Sequence, residues 1–350
     1  MKPDLHVLAA DHGILLTTRA LDAGWPPRCL TRALRAQAWT RIRAGAWAAP
    51  GRRVDLRTRL LAAQLLTPRL VVSHRSAAAL WRIEQLTPLG AGPLEFTDPE
   101  SSNGTGSGLR VYRTATLTRR ETDSHRGLRL TDVPRTLADL LRTGTRDDAL
   151  VALDSALSRR TVDGVRRAPL TRLAAVVTAL DAPVQGAARA RSRLTLADPR
   201  SGSPVETLAR LHMHDAGLHP ESQAEVTTPN GSHRYPDFLF RAEGLAVEIE
   251  GYAYHGSRAD HRRDVARFNE LLQCPEIRVL LRYTAQDVLH RPAHVVGQIG
   301  AALDRQKTAA EERHQEEHHE PRRTSPRPFV RAVTDHRRGR PAARPEEQQT

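Results

Sequence analysis

Apolar and polar positions in the first fifty residues predict short helices followed by a β-hairpin. An apolar run at residues 5–14 predicts a first helix. Thr17 as an N-cap and Gly24 as a C′ stop delimit a second helix. Pro26 and Pro27 open a third helix, and a hairpin with a two-residue loop follows at residues 39–49. This order is typical of a winged helix-turn-helix.

The middle of the chain alternates between helical and strand-like spacing. Helices are predicted at residues 56–66, 73–83, 131–141 and 147–158, and strands at 94–96 and 109–112. A Gly- and Ser-rich stretch between the two strands predicts a flexible loop. A later stretch rich in Ala, Arg, Ser and Gly is a candidate linker.

The next hundred residues predict an α/β module in the order helix, two hairpin strands, helix, strand, helix. The first helix opens at Ser203, the hairpin follows Tyr235, and the last strand and helix cover residues 277–281 and 285–303. Beyond this point the chain is polar and rich in Pro, Arg and Glu. Such a composition buries too little apolar surface to offset its ordering entropy, so we expect disorder.

Length and composition narrow the class of protein. A chain of 350 residues suits two or three domains, and 39% hydrophobic residues support real cores. The sequence has no long apolar run and no apolar core after Met1, so we expect neither a membrane span nor a secretory signal. Cys29 and Cys274 are its two cysteines, which fits a reducing cytoplasm.

The formal net charge of +13 is unevenly distributed. Residues 1–50 contain seven Lys and Arg against three Asp, whereas residues 201–304 contain ten Arg against fourteen Asp and Glu. The front of the chain is therefore the part suited to the phosphates of double-stranded DNA. Five arginines of the third helix and the hairpin are the candidate contacts: Arg28, Arg32, Arg35, Arg41 and Arg43. The alternative for the helix arginines is a solvated face.

The acidic residues best placed to bind a metal ion lie in the predicted hairpin of residues 235–250. If residues 241–244 form its loop, Asp237 lies opposite Glu248. Side chains alternate along a strand, so Asp237, Glu248 and Glu250 share one face. Three carboxylates this close repel one another unless a cation lies between them. Oxygen ligands of this kind suit Mg²⁺ or Mn²⁺, which polarises a phosphate and activates water.

Each of these residues also has an interpretation in which it neither binds metal nor takes part in catalysis. Carboxylates are common on the solvated face of an edge hairpin. Glu206 completes a capping box that begins at Ser203, and it also lies where it can reach the neighbouring sheet as a further metal ligand. His255, five residues beyond Glu250, is either a general acid or base or a hydrogen-bonded loop histidine.

This region resembles the restriction-endonuclease-like fold, and most closely the endonuclease-domain family related to the very-short-patch-repair endonucleases. The matching segments are SPVE, PDF, AVEIEGYAYH, RRD and IRVLLRYTAQDV, at residues 203–206, 236–238, 246–255, 262–264 and 277–288. The resemblance implies that Asp237 and the Glu248/Glu250 pair ligate metal, that Glu206 assists, and that His255 is the acid or base. The wider fold usually has a lysine where Glu250 stands, which leaves the mechanism open.

The front half resembles the antitoxins of abortive-infection type IV toxin–antitoxin systems, which carry a winged helix before a larger α/β domain. The matching segments are HGILLTTRAL, WTRIRAGAWAAPG, SHRSAAALWRI and VPRTLADLL, at residues 12–21, 39–51, 73–83 and 133–141. The resemblance implies a DNA-binding fold and, as a partner, a cognate toxin protein.

These patterns predict an α+β fold with five segments. They are a winged helix-turn-helix (1–50), a middle α/β domain (51–181), a linker (182–202), a restriction-endonuclease-like α/β/α domain (203–304) and a disordered tail (305–350). Our hypothesis is a DNA-binding protein with a metal-dependent endonuclease domain. The alternatives are a non-enzymatic regulator or antitoxin with a nuclease-like fold, and a nuclease that acts on RNA.

Overall fold

The structure is a computed structural model in which α-helices and β-strands are mixed along the chain. It describes residues 2–9, 12–87, 92–98, 100, 104–106, 108–114, 117–182, 184–250 and 258–319. Residues 1–307 form one compact unit, and a second unit begins at Thr308. Within the described ranges, no helix is both long and apolar enough to cross a membrane.

The first region combines three short helices with a three-stranded antiparallel sheet of order β1-β3-β2. Its elements are α1 (Leu5–Leu8), β1 (Ile14–Leu16), α2 (Thr17–Asp22), α3 (Pro27–Ala36), β2 (Thr40–Arg43) and β3 (Ala46–Ala48). Leu30 and Leu34 of α3 are buried in a core that also contains Leu15 and Trp39. The predicted helix from Pro27 and the predicted hairpin are confirmed.

The apolar run at residues 5–14 is not one helix. Helix α1 ends at Leu8, and Ile14 already belongs to strand β1, which pairs with β3. Gly13 between them has a left-handed backbone, with φ of 63°. Thr17 is the first residue of α2 rather than its cap, and its hydroxyl accepts a hydrogen bond from the Trp47 indole. A strand of three residues is too short to show an alternating pattern.

The middle region is built on a six-stranded sheet of order β6-β7-β5-β4-β9-β8. Its elements are α4 (Leu56–Leu66), β4 (Val71–Val72), α5 (His74–Leu80), β5 (Leu94–Asp98), β6 (Gly104–Gly106), β7 (Leu109–Arg113), a 3-10 helix (Arg119–Glu121), β8 (Thr122–His125), β9 (Leu128–Thr131), α6 (Val133–Thr143), α7 (Arg146–Leu157), β10 (Arg160–Val162), β11 (Val165–Arg167), α8 (Leu173–Ala179) and α9 (Ala187–Leu194). The four predicted helices and both predicted strands are confirmed to within a few residues. The sequence did not predict β4, β6 or the β8–β9 pair.

Residues 182–202 do not form the predicted linker. They contain α9, in which Ala187 and Ala190 are buried, and Ala190 lies in a core with helices α6, α7 and α8. Three arginines of α9 donate hydrogen bonds to backbone carbonyls near the ends of α6 and α8: Arg189, Arg191 and Arg193. Carbonyls at a helix C-terminus lack intrahelical partners, so cationic donors there tie α9 to the middle region.

The C-terminal region places helices on both sides of a four-stranded sheet of order β12-β15-β16-β17. Its elements are α10 (Pro204–Asp215), β12 (Glu221–Ser222), β13 (Val226–Thr227), β14 (His233–Arg234), β15 (Phe238–Phe240), β16 (Leu245–Glu250), α11 (Arg258–Leu272), β17 (Val279–Thr284), α12 (Ala285–His290) and α13 (Pro292–His319). Strands β15 and β16 are antiparallel, whereas β16 and β17 are parallel.

The predicted hairpin register is confirmed, because Phe240 pairs with Leu245. The apolar face of the hairpin, which includes Phe238 and Val247, lies in a core with α10, α12 and α13. On the other face, Leu239 packs with residues at the end of α11. Polar side chains of the hairpin are therefore confined to one end of the second face.

The end of the chain differs from the prediction in two ways. The helix expected at residues 285–303 is divided into α12 and α13 at Pro292, which lacks a backbone N–H. Helix α13 continues to His319, so the prediction of disorder is wrong for residues 305–319. These residues are rich in Ala, Glu, Gln and Arg, which have high helix propensity even without an apolar face. Residues 320–350 lie outside the described part of the chain.

Candidate functional site

Asp237 and Glu248 meet where strands β15 and β16 diverge. The Asp237 backbone N–H donates to Oε1 of Glu248 at 3.2 Å. The Asp237 carboxylate is fixed on both sides, since Oδ2 accepts from the Ile249 N–H at 2.7 Å and Oδ1 from the Gln223 side-chain amide at 2.9 Å. The hairpin register therefore brings these two predicted ligands together.

Asp237 is only 7% exposed. Burial, and secondarily the charge of Glu248, raise the pKa of Asp237 to about 6. Burial also raises the pKa of Glu248, although the nearby Arg267 guanidinium acts in the opposite direction. A raised pKa means that the surroundings disfavour the carboxylate anion. The positive charge near the site is therefore too small to compensate its carboxylates.

Glu206 lies in the first turn of α10 and reaches the Asp237 site, but it does not complete the predicted capping box, which requires a bond from the Ser203 backbone N–H. Ser203 caps α10 by accepting from the Glu206 N–H at 3.1 Å, and Oε2 of Glu206 accepts from the Gly202 N–H at 2.6 Å. The same oxygen accepts from Gln223 at 3.1 Å, which brings Glu206 to the Asp237 site. Burial and the charge of Asp237 raise the pKa of Glu206 to about 7.

Gln223 is the residue that sequence reasoning missed. Its one side-chain nitrogen donates to both Glu206 and Asp237, and its backbone N–H donates to the Asp237 carbonyl. Its backbone is left-handed, with φ of 48°, a conformation that is costly for a residue with a side chain. No spacing rule distinguishes a glutamine just after a two-residue strand, so no sequence pattern could have identified it.

Glu250 shares the face of Glu248 but has a different partner. Its Oε1 lies 2.7 Å from Arg282 Nη2, on strand β17, and the Arg282 guanidinium covers the ring of Phe268. Glu248 faces Arg267 at 3.3 Å. The structure therefore gathers Glu206, Asp237 and Glu248, while Glu250 is paired with an arginine.

Among the residues that the structure describes, no group of three or more His, Cys, Asp or Glu side chains has the arrangement of a metal site. His255 lies outside the described residues, and so do the side chains of the Arg262–Asp264 run.

The predicted DNA contacts lie at the surface of the first region. We call Arg28, Arg32 and Arg35, which are exposed on α3, the α3 arginine stripe. Arg41 is exposed and Arg43 half-buried on β2. In the described part of the chain, none of these five arginines forms an ion pair. Their charges are thus not neutralised by neighbouring carboxylates.

Comparison with known proteins gives limited similarity. No family model matches the chain. Two Mycobacterium tuberculosis proteins, "Uncharacterized protein MT2308" (strain CDC 1551 / Oshkosh) and "Uncharacterized protein Rv2248" (strain ATCC 25618 / H37Rv), are each 32% identical to it over 126 residues. The match covers 36% of this chain and 46% of each relative, so the chain spans about half the length of these relatives. The crystal structure of the RV2827C protein from Mycobacterium tuberculosis has a TM-score of 0.37 at 20% identity, over 64% of this chain and 87% of that chain.

Proposed function

We propose that the chain is a DNA-binding protein whose C-terminal region hydrolyses phosphodiester bonds with Mg²⁺ or Mn²⁺. The observation that carries the proposal is the meeting of the buried carboxylates of Glu206 and Asp237 with the half-buried carboxylate of Glu248, since the pKa values of all three are raised. Burying several acids close together is costly unless a cation compensates them. A divalent cation is the simplest compensation.

The side chains present suit such a cation by their chemistry. Carboxylate oxygens are the hard ligands that Mg²⁺ and Mn²⁺ prefer, and Asp237 and Glu248 would hold the ion with help from Glu206. Bound there, the ion would polarise a phosphate and activate water. Gln223 holds the carboxylates of Glu206 and Asp237 in place through its shared amide. Glu250 would have to leave a 2.7 Å ion pair with Arg282 to bind the ion, whereas Glu248 lies 3.3 Å from Arg267, so we place Asp237 and Glu248 first as ligands.

The DNA-binding part of the proposal rests on the first region. Its helix–strand–helix–helix–hairpin order is that of a winged helix-turn-helix, in which the last helix enters the major groove. In this chain that helix is α3, and it carries the α3 arginine stripe. We likewise propose that the middle region is antitoxin-like and that the C-terminal region has the restriction-endonuclease-like fold. The order of helix, antiparallel strands, helix, parallel strand and helix supports the latter.

Plasmid cleavage in Mg²⁺ or Mn²⁺ tests the nuclease proposal. We expect nicking by the wild type and a loss of roughly a hundredfold or more in Asp237→Asn. Glu243→Gln is the matched control, since Glu243 lies in the turn at the opposite end of the same hairpin. Cleavage that Asp237→Asn leaves unchanged would rule out the site.

A non-enzymatic regulator, or an antitoxin-like protein that binds a cognate toxin, is the second candidate. The Glu250–Arg282 ion pair favours it, because an arginine neutralises one acid of the hairpin without any metal. Intact duplex binding with no cleavage of duplex, mismatched or single-stranded DNA, or of RNA, would support this candidate over the nuclease.

A further inference from the structure

The middle region contains a cavity that the proposed function does not use and that has several charged and polar side chains in its wall. Its volume is about 90 Å³, roughly the liquid volume of three water molecules. It lies among α5, strands β5 and β7, and the junction of α6 and α7, and the polar residues that carry the argument are His74, Arg75, Glu95, Arg110, Tyr112 and Asp148.

His74 lines this cavity, and one of its ring nitrogens has no hydrogen-bond partner among the described residues. The residue is only 3% exposed, and its backbone is left-handed, with φ of 49°. Its ring stacks on Tyr112 with centroids 3.6 Å apart, and its Nδ1 lies 2.8 Å from the Ser73 hydroxyl. Among the described residues, Nε2 has no hydrogen-bond partner. The ring is thus fixed in place while one polar atom remains available to a ligand.

The acids that line the cavity already have partners. Glu95 accepts from the Arg75 backbone N–H at 2.7 Å and from the Tyr112 hydroxyl at 3.1 Å, and Arg110 lies 3.8 Å from it. Asp148 accepts from the Thr145 hydroxyl at 2.7 Å, in the positively polarised first turn of α7. Neither carboxylate is left to repel an anion at full strength.

Arg75 supplies a charge without an acidic partner. Its guanidinium donates to two neutral oxygens, the Gln85 side-chain oxygen at 3.1 Å and the Thr87 carbonyl at 2.5 Å. Within the described part of the chain it forms no ion pair. Guanidinium groups bind planar and tetrahedral oxyanions through charge-assisted hydrogen bonds.

We propose that this cavity binds a phosphate group, with Arg75 and Arg110 facing its oxygens and His74 Nε2–H donating to it. Burial lowers the pKa of His74, so the ring is neutral and carries one proton. If the Ser73 hydroxyl donates to Nδ1, that proton is on Nε2, as a hydrogen bond to phosphate requires. The cavity has room for a phosphate group but not for a nucleoside, which would have to remain outside it.

Calorimetric titration of the full chain with inorganic phosphate, at constant ionic strength, tests the proposal. We expect saturable binding that weakens at least about tenfold in His74→Asn and in Arg75→Gln. Asparagine tolerates the left-handed backbone, so His74→Asn removes the ring nitrogen without adding strain. Arg120→Gln, an exposed arginine of the 3-10 helix, is the control and should bind like the wild type.

Further titrations separate this cavity from other phosphate sites and identify the source of the group. Asp237→Asn and a variant with the α3 arginine stripe replaced by Gln should bind phosphate as the wild type does. Tighter binding of adenosine monophosphate or of a 5′-phosphorylated oligonucleotide would assign the group to a nucleotide, and tighter binding of phosphate would assign it to the free ion. Equal affinity in wild type, His74→Asn and Arg75→Gln would overturn the proposal, as would a response no larger than that to chloride.

Discussion

Replacing Glu206 by glutamine tests whether the buried acids cost folding stability. Among the described contacts, only Oε2 of Glu206 accepts hydrogen bonds, from the Gly202 N–H and the Gln223 amide. A glutamine carbonyl can accept both bonds, so Glu206→Gln removes the charge and keeps the geometry. Any change in stability then reports the electrostatic cost.

The pKa shift gives the size and the sign of the effect. Burial and the charge of Asp237 raise the pKa of Glu206 from 4.5 to about 7. At about 1.4 kcal/mol per pKa unit, the ionised carboxylate costs on the order of 3 kcal/mol of folding free energy. Below pH 4.5 the folded and unfolded chains are both protonated, and the cost is absent. Between pH 4.5 and pH 7 the unfolded chain ionises first, so the stability of the wild type falls.

Calorimetric unfolding of the full chain from pH 4.5 to pH 8 measures this difference. We expect Glu206→Gln to match the wild type at pH 4.5 and to exceed its unfolding free energy by about 3 kcal/mol at pH 8. Glu243→Gln should follow the wild type throughout. Mg²⁺ should raise the midpoint temperature of unfolding of the wild type at pH 8 but not that of Asp237→Asn. Parallel pH profiles for wild type and Glu206→Gln would refute the reasoning, because the anion would then be well compensated in the folded chain.

Three other predictions concern DNA binding, the bridging amide and the hairpin turn. Replacing the α3 arginine stripe by Gln should weaken duplex binding in a filter-binding titration. The slope of log affinity against log salt concentration should become shallower by about 0.9 for each DNA phosphate that is no longer neutralised. Arg120→Gln should change neither the affinity nor the slope. Gln223→Leu removes a hydrogen-bond donor that two buried carboxylates share, so it should lower the unfolding free energy by about 1–3 kcal/mol. It should also abolish the increase in the midpoint temperature of unfolding that Mg²⁺ causes. Gly244→Ala should destabilise by about 1–3 kcal/mol in urea unfolding, because φ is 61° and the added Cβ would lie 2.9 Å from Arg278 Cγ. A Gly244→Ala variant as stable as the wild type would mean that the turn relaxes.

The hairpin of the candidate site could be predicted because the residues that determine its pairing are close together in the sequence. Alternating apolar residues and a four-residue turn determine the pairing of Phe240 with Leu245, and the position of Asp237 follows. The partners of the acids are not local. Gln223 follows strand β12 and reaches Asp237 from there, and Arg282 meets Glu250 only because β17 pairs in parallel with β16. Contacts between residues that are distant in sequence produce no periodic pattern from which they could be predicted.

Local patterns are also sufficient for the longer helices but not for the shortest elements. The sequence predicts helix α4 at its observed bounds, since its eleven residues from Leu56 to Leu66 are mostly strong helix formers such as Leu, Ala, Arg and Gln. Strands β1 and β4 have three and two residues, and a period of two cannot be recognised over such lengths. Helix α9 resembles a linker in sequence because its buried positions are alanines, which have little hydrophobic signal.

The structure further implies that the candidate site depends on more of the chain than residues 203–304. Asp154 of α7 is fully buried and accepts hydrogen bonds from the Asp198 N–H at 2.8 Å, the Thr207 hydroxyl at 3.0 Å and Arg210 at 2.9 Å. Thr207 and Arg210 belong to α10, whose first turn carries Glu206. Burial raises the pKa of Asp154 to about 6 even beside Arg210, so without that arginine the ionised form would be still less favourable. Helix α10 also packs through Leu208 and Ala209 in the core of the C-terminal region, so both regions hold the helix that brings Glu206 to Asp237.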